Sequence, residues 1–279
     1  MPELPEVEIL RRELDEVLPG QKIKKLEVRE AKIWRGPKNI EGLEVKKIER
    51  KGKVMIWRLS GGRAILIHLR MTGQLIYEGK ERIGGGHPTK SMVGGLPDKH
   101  TRVILTFERG VLYFNDQRKF GFMQNVSDKQ LAEYPFFKKL GPDPWEMDPE
   151  ELLAKFKNRK AAVKALLLDQ SIIAGIGNIY ADEALYYARI SPLRKAGSLN
   201  KVEIKRILEG ARTAMSKSLE VGGSSLKNYV RTDGSRGGYL DLFAAMYGRD
   251  GEKCKRCGNI ITKIRVAGRG THYCKGCQK

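Results

Sequence analysis

Cysteine is missing from the first 253 residues of this 279-residue chain. That absence removes a distributed disulfide framework as a source of stability and points to a reducing compartment. No run of about 18 apolar residues occurs, so no transmembrane helix is expected. The N-terminus also lacks a basic stretch followed by an apolar one; it is acidic and broken by prolines, which predicts no signal peptide and a cytoplasmic protein. No internal repeat is visible. Acid is scarce relative to base, with 33 Asp and Glu against 53 Lys and Arg, a formal net charge of +20. Basic side chains that neutralise phosphates release condensed counterions, so this excess points to a polyanionic partner. Nucleic acid is favoured, and an anionic membrane surface and ribosomal RNA compete with it. The basic residues are spread along the chain, so a folded surface presents them.

The four cysteines that do occur are Cys254, Cys257, Cys274 and Cys277, two C-x2-C knuckles separated by sixteen residues. This spacing supplies four thiolates to one tetrahedral zinc, with no position left for water, so the ion is expected to be structural. Two structural disulfides are the alternative. The segment from Gly251 to Lys279 holds eight basic residues and one acid. A zinc-stapled hairpin carrying Lys263, Arg265 and Arg269 suits a phosphodiester backbone, and pure scaffolding is the competing role.

The length accommodates two modest domains. Residues 22 to about 126 read as β, with alternation over Lys53 to Leu59 and a more continuously apolar strand from Ala64 to Leu69. Thr101–Phe107 and Val111–Phe114 flank Glu108-Arg109-Gly110 as a hairpin, and short strands at such spacing predict a sandwich or barrel. One helix is expected over residues 9 to 18, and the glycine-rich stretch from Gly84 to Leu96 reads as a loop. At Gly141-Pro142-Asp143-Pro144 the texture turns from β to helical. Helices are expected after the N-cap Asp148, from about Lys160 to Asp169, from Ile179 to Ala188, and from Leu199 to Val221, where Gly222-Gly223 ends the pattern. Residues 222 to 238 lack periodicity and read as a mobile loop.

Several residues carry candidate chemistry. Once Met1 is removed, Pro2 presents a secondary α-amine, and α-amines titrate near ~8, so part of the population is nucleophilic at neutral pH. Attack on an aldehyde-like carbon yields an iminium, the strategy of lysine Schiff bases, and the acid Glu3 is adjacent. Alternatively, prolines there merely discourage helix. Gly175-Ile176-Gly177-Asn178 opens a helix and either cradles a phosphate or makes a tight turn; it lacks the third glycine and preceding strand of a dinucleotide fingerprint. In Asn115-Asp116-Gln117-Arg118-Lys119-Phe120-Gly121, Arg118 and Phe120 share a face if the strand continues. They then suit a wedge that fills a gap in a duplex, or else a core ring beside a surface guanidinium. Met71 is open between core filler and wedge. His68 and His100 are lone histidines, and His68 reads as a satisfied buried residue.

Together, these segments resemble the formamidopyrimidine-DNA glycosylase family over essentially the whole chain. The resemblance is carried in order by PELPEVE at Pro2, IHLRMTG, Lys99-His100, DQRKFG, GIGNIYADE, GGSS at Gly222 to Ser225, and the terminal C-x2-C with GRGTHYC. It implies an α+β fold: an N-terminal β-sandwich domain over 1–128, a linker over 129–147, a helix–two-turn–helix domain over 148–244 and a β-hairpin zinc finger over 245–279, with DNA held between the domains. The activity implied is that of a bifunctional DNA glycosylase and AP lyase of base excision repair. It would remove oxidised purines such as 8-oxoguanine and formamidopyrimidines from damaged double-stranded DNA in the bacterial cytosol; the sequence does not give the oligomeric state, and a monomer is the default expectation. Pro2 would be the nucleophile and Glu3 the acid. Lys53 would serve β-elimination and Arg269 δ-elimination and phosphate binding. His100, Lys160, Lys164 and Asn178 match DNA-contact positions, while Met71, Arg118 and Phe120 match the trio that fills the hole left by an extruded base. Cys254, Cys257, Cys274 and Cys277 would hold one zinc. Gln117 and Lys119 depart from the commonest family pattern in the wedge loop. Leu4 stands where the endonuclease VIII branch has glycine, which disfavours that branch. The 222–238 loop, which would cover the lesion, is the least standard part.

Overall fold

The computed structural model describes residues 2–86, 94–224 and 238–279. The chain divides into two compact units, Met1–Lys138 with Gly222–Gly237, and Lys139–Val221 with Gly238–Lys279. The architecture is α+β, with a β-rich first unit and a helical second unit that ends in a two-stranded hairpin.

Helix α1 (Leu4–Val17) opens the first unit. It starts ahead of the periodic stretch because Glu3 acts as its N-cap residue and Pro5 falls in the first turn, where a missing N–H costs no hydrogen bond. Its buried Val7, Leu10 and Leu14 recur at helical spacing. Ten strands follow: β1 (Ile23–Val28), β2 (Trp34–Arg35), β3 (Val45–Lys51), β4 (Val54–Leu59), β5 (Arg63–His68), β6 (Gly73–Glu78), β7 (Arg82–Gly86), β8 (Thr101–Phe107), β9 (Gly110–Asp116) and β10 (Phe122–Ser127). Among the described residues they form two five-stranded sheets, ordered β1-β8-β9-β6-β7 and β2-β10-β5-β4-β3. One core is shared by both. Leu75, Val103, Leu105, Leu112 and Phe114 come from the first sheet, Ile48, Met55, Trp57, Ile65 and Ile67 from the second, and α1 adds Leu10 and Leu14. Two inner faces closing on one apolar layer make a sandwich.

Gly84 to Gly86 are strand rather than loop. They pair with Ile76, Leu75 and Gln74, and a Cβ at Gly85 would lie 3.2 Å from Leu10 Cδ1. Glycine is used here for close packing against α1, which composition alone disguises as flexibility. The remainder of that expected loop, through residue 93, and most of the 222–238 loop lie outside the described residues. Two short helices, α2 (Asp128–Ala132) and α3 (Pro135–Lys139), occupy part of the stretch expected as linker; Ser127 and Gln130 cap α2 reciprocally.

In the second unit α4 (Pro149–Phe156) starts at the expected cap, where Asp148 Oδ1 accepts from Glu150 N at 2.7 Å. The helix expected over 160–169 is only α5 (Val163–Leu167), because Ala162 is extended and bridges Lys195. α6 (Asn178–Ala188) packs against α7 (Lys201–Glu220), and Gly210 permits the approach: a Cβ there would sit 2.8 Å from Ala184 O. The core gathers Phe156, Leu167, Tyr180, Leu185, Ile207 and Met215. A π-helical turn at Tyr239–Phe243 was not legible as such from sequence. β11 (Thr262–Val266) and β12 (Arg269–Tyr273) form the terminal hairpin. Its two-residue turn uses Ala267 and Gly268, both at positive φ (48° and 72°), the sense that matches strand twist. No helix among the described residues is long and apolar enough to cross a membrane.

Candidate functional site

Pro2 and Glu3 are buried and stand at the N-terminal end of α1, where the helix dipole is positive. One carboxylate, Glu6, accepts from Glu3 N at 2.8 Å through Oε2. Through Oε1 it accepts from Ser224 N at 2.8 Å and Ser224 Oγ at 2.7 Å. The helix is bolted to β3. Ile48 N donates to Asp15 Oδ1 at 2.7 Å, and Arg11 Nη1 donates to Ile48 O at 3.1 Å. Glu8 accepts from Arg11, Arg12 and Arg50. Burial pushes its pKa up, but the hydrogen bonds from these three guanidiniums outweigh that and hold the carboxyl below its ordinary range. Arg50 also donates from Nη1 to Gly52 O at 2.8 Å. The turn that presents buried Lys53 is thereby tied to the helix that presents Pro2 and Glu3.

β9 ends at Asp116, so the strand does not continue through Phe120 as the alternation argument required. Residues 117–121 form a turn in which Lys119 has φ 57°. Even so, the Arg118 guanidinium lies 4.8 Å from the Phe120 ring centroid, a cation–π contact. Phe120 is 52% exposed, which excludes the core-ring alternative. Met71 is half-buried in the turn between β5 and β6. The Asp116 carboxylate is fully buried and accepts from Arg118 N (3.1 Å), Gly121 N (2.7 Å) and the Thr72 hydroxyl. Arg118 N also donates to Thr72 Oγ1 at 3.0 Å.

His100 is half-buried, and its backbone N donates to Asp98 Oδ1 at 2.8 Å. His68 is a buried neutral imidazole: its pKa is pushed down to about 3 by burial, assisted by the charges of Arg70 and Lys53. Its Nδ1 accepts from Arg70 N at 3.0 Å, the satisfied role expected for it.

In the second unit the GIGN turn is braced by Gln170, whose Oε1 accepts from Gly175 N at 3.0 Å while Nε2 donates to Ile176 O at 2.8 Å. Asn178 Nδ2 donates to Gly270 O at 2.9 Å, joining the start of α6 to β12. Lys160 and Arg269 are exposed. Lys164 is not: its side chain has no accessible surface. Its ammonium donates to Asp182 Oδ1 (2.6 Å), Thr271 Oγ1 (2.8 Å) and Gly270 O (3.3 Å), so all three of its protons have acceptors. The expectation that Lys164 meets DNA is corrected accordingly; burial leaves it no surface to offer a phosphate. It instead sets the backbone beside Arg269. Asp182 Oδ2 completes the cluster by accepting from His272 N at 2.9 Å. Glu183, also buried, accepts from the backbone N–H groups of Ala245, Met246 and Tyr247 at 2.9 Å each and so ties the approach to the hairpin onto α6.

The sulfurs of Cys254, Cys257, Cys274 and Cys277 all lie within 4.8 Å of one another and form no disulfide. Four tetrahedral Zn–S bonds of about 2.3 Å place sulfurs about 3.8 Å apart, and Cys254 and Cys277 are 3.8 Å apart. Burial together with neighbouring sulfurs pushes the Cys277 thiol up, whereas hydrogen bonds from backbone N–H groups outweigh burial at Cys254 and hold it down at about 6. The donor set fits one zinc, whose contribution is to staple the knuckles.

Family models match three successive stretches of the chain: the formamidopyrimidine-DNA glycosylase N-terminal domain over residues 1–123, the H2TH domain of the same proteins over 140–230, and a zinc finger found in FPG and IleRS over 251–279. The formamidopyrimidine-DNA glycosylase of Desulfitobacterium hafniense is 37% identical over 286 residues, covering both chains in full. That of Pelotomaculum thermopropionicum is 40% identical over 288 residues, covering 100% of this chain and 99% of its own. A solved complex between the Lactococcus lactis Fpg and an abasic-site-containing DNA superposes with a TM-score of 0.88 at 33% identity, over 99% of each chain.

Proposed function

This chain belongs to the formamidopyrimidine-DNA glycosylase family, DNA-repair glycosylases with AP lyase activity, and we propose that it excises oxidised purines through a Schiff base at Pro2. The observation that carries the reading is the buried Pro2-Glu3 pair at the start of α1, joined through Glu8 and Arg50 to the turn bearing Lys53. The amine nitrogen of Pro2 forms a bond to the deoxyribose C1′ as the glycosidic C–N bond breaks. The sugar ring opens with Glu3 as acid, leaving an iminium and the free base. That iminium acidifies the C2′ proton. Loss of the proton, assisted by Lys53, expels the 3′ phosphate, and a second elimination assisted by Arg269 expels the 5′ phosphate and leaves a one-nucleotide gap.

The accessories follow from the chemistry. A glycosylase must take its base out of the stack, which costs a few kcal/mol, and something must fill the vacancy. Met71, Arg118 and Phe120 serve as that wedge, and the exposed cation–π pair of Arg118 and Phe120 supports it. His100, Lys160, Asn178 and Arg269 contact phosphates, which position the strand without reading the lesion. Lys164 acts at one remove, by holding Gly270 and Thr271. The protein works as a cytoplasmic monomer on damaged double-stranded DNA, with base choice set by the 222–238 segment.

Protein verified to begin at Pro2, incubated with an 8-oxoguanine duplex and borohydride, should yield a trapped covalent complex. Absence of the adduct overturns the mechanism. Protein retaining Met1 should trap none, because its Pro2 nitrogen is then a tertiary amide, and P2G should keep zinc and abasic-site binding while losing most strand cleavage.

A further inference from the structure

Asp116 has no solvent-accessible surface, yet among the described residues its carboxylate enters no salt bridge. Each is a hydrogen bond to a loop. Oδ1 takes the Thr72 hydroxyl, from the turn that carries Met71, and Arg118 N, from the turn that carries Phe120. Oδ2 takes Gly121 N, where the second turn closes. The Asp116 backbone extends the cluster: its N donates to His100 O at 2.9 Å and its O accepts from Arg102 Nε at 2.9 Å. Three donors around an acceptor-only group leave its lone pairs well used, and a buried site admits no water as a substitute. Space is equally restricted at Gly121, where a Cβ would lie 2.8 Å from Phe114 Cζ and 3.1 Å from Asp116 Oδ2.

We propose that Asp116 and Thr72 are positioning residues that lock the Met71 turn and the Arg118–Phe120 turn into one rigid wedge. This rests on the reading of those three residues as the filler of the vacated base position. A side chain inserted between bases is pushed back by the stack it has opened. Two independent surface turns, one of them with Lys119 at a positive φ, yield to that force, whereas two turns joined through a buried carboxylate yield together or not at all. Asp116 touches neither base nor sugar, so its effect is confined to steps that need insertion.

The test compares excision of 8-oxoguanine from a fully paired duplex with excision from a duplex holding the lesion in a three-base bubble, where extrusion is cheaper. F120A is the reference for loss of the wedge. D116N and T72V should each lower the paired-to-bubble ratio by roughly tenfold, the scale of a broken hydrogen bond to a charged group, and T72S should restore it. A 2-aminopurine beside the lesion should show a correspondingly smaller fluorescence rise on binding. F120A lowering the ratio while T72V behaves as wild type overturns the brace and leaves the wedge standing. F120A leaving the ratio unchanged overturns the wedge itself, and the brace with it. Equal losses on paired and bubble substrates in a folded, zinc-loaded T72V mean general destabilisation and also overturn the proposal. Should D116N fail to fold, T72V and T72S carry the test.

Discussion

Two lysines four positions apart, Lys160 and Lys164, read identically in the chain, and three-dimensional packing gives them opposite environments. Lys160 is exposed, whereas Lys164 is sealed against Asp182, Thr271 and Gly270. Removing one partner of a buried ion pair leaves an uncompensated charge, at a cost of about 3–5 kcal/mol. K164A should therefore lower the thermal midpoint by several degrees, while K160A should leave it within experimental scatter. On DNA the order reverses: K160A should reduce the slope of log affinity against log salt by about one unit, the loss of one phosphate contact. A K160A slope identical to wild type removes Lys160 from the interface. Arg118 and Phe120 were also legible only in part. Their types and spacing pointed to a wedge, but Asp116 rather than strand alternation brings them together. A sequence signal for that existed in the Asp two residues before Arg118, the pattern of an Asx turn. For Thr72, no such signal existed.

The start of α4 was legible in its Asp148 cap, whereas the equally local Glu3–Glu6 box that starts α1 at Leu4 was missed by a reading that began at residue 9. Asp148 and Asn200 lie directly before α4 and α7 and accept from their first-turn amides. Where a distant partner decides, the reading shifts: Lys195 holds Ala162 extended and shortens α5, and Leu10 packs so closely that only glycine suits β7. Helix α1 combines both cases, with a local cap and a long-range anchor through Glu8. Because Glu8 has a lowered pKa in the folded protein, its contribution is fully present above about 4.5 and is lost as pH falls through the folded value. Thermal midpoints of wild type and E8Q should differ at pH 7 by the equivalent of roughly 1–3 kcal/mol and converge in acid. A constant gap down to pH 3 would show that the charge on Glu8 does not anchor the helix.

At the scale of the molecule, a charge of +20 commits the protein to polyanions, and the zinc knuckles commit one exposed share of that charge to a fixed hairpin. Lys263, Arg265 and Arg269 are exposed on it. Chelating the metal should melt residues 251–279, weaken affinity for an abasic-site duplex and flatten its salt dependence by up to about three phosphate contacts. Undiminished affinity in metal-free protein would leave the hairpin without a binding role. Salt titrations with and without chelator, monitored by fluorescence anisotropy, make the comparison.

The chain by itself determined what depends on short separations: the grouping of the four cysteines, the Asp148 cap, the apolar periodicities and the basic excess. Tertiary structure decided what depends on groups far apart in sequence. Thr72 and Asp116 are separated by 44 positions, Lys164 and Gly270 by 106, and burial makes each pair consequential. The physical reason is that a residue's type defines which bonds it can make, whereas the desolvation that makes those bonds obligatory exists only once the chain has packed.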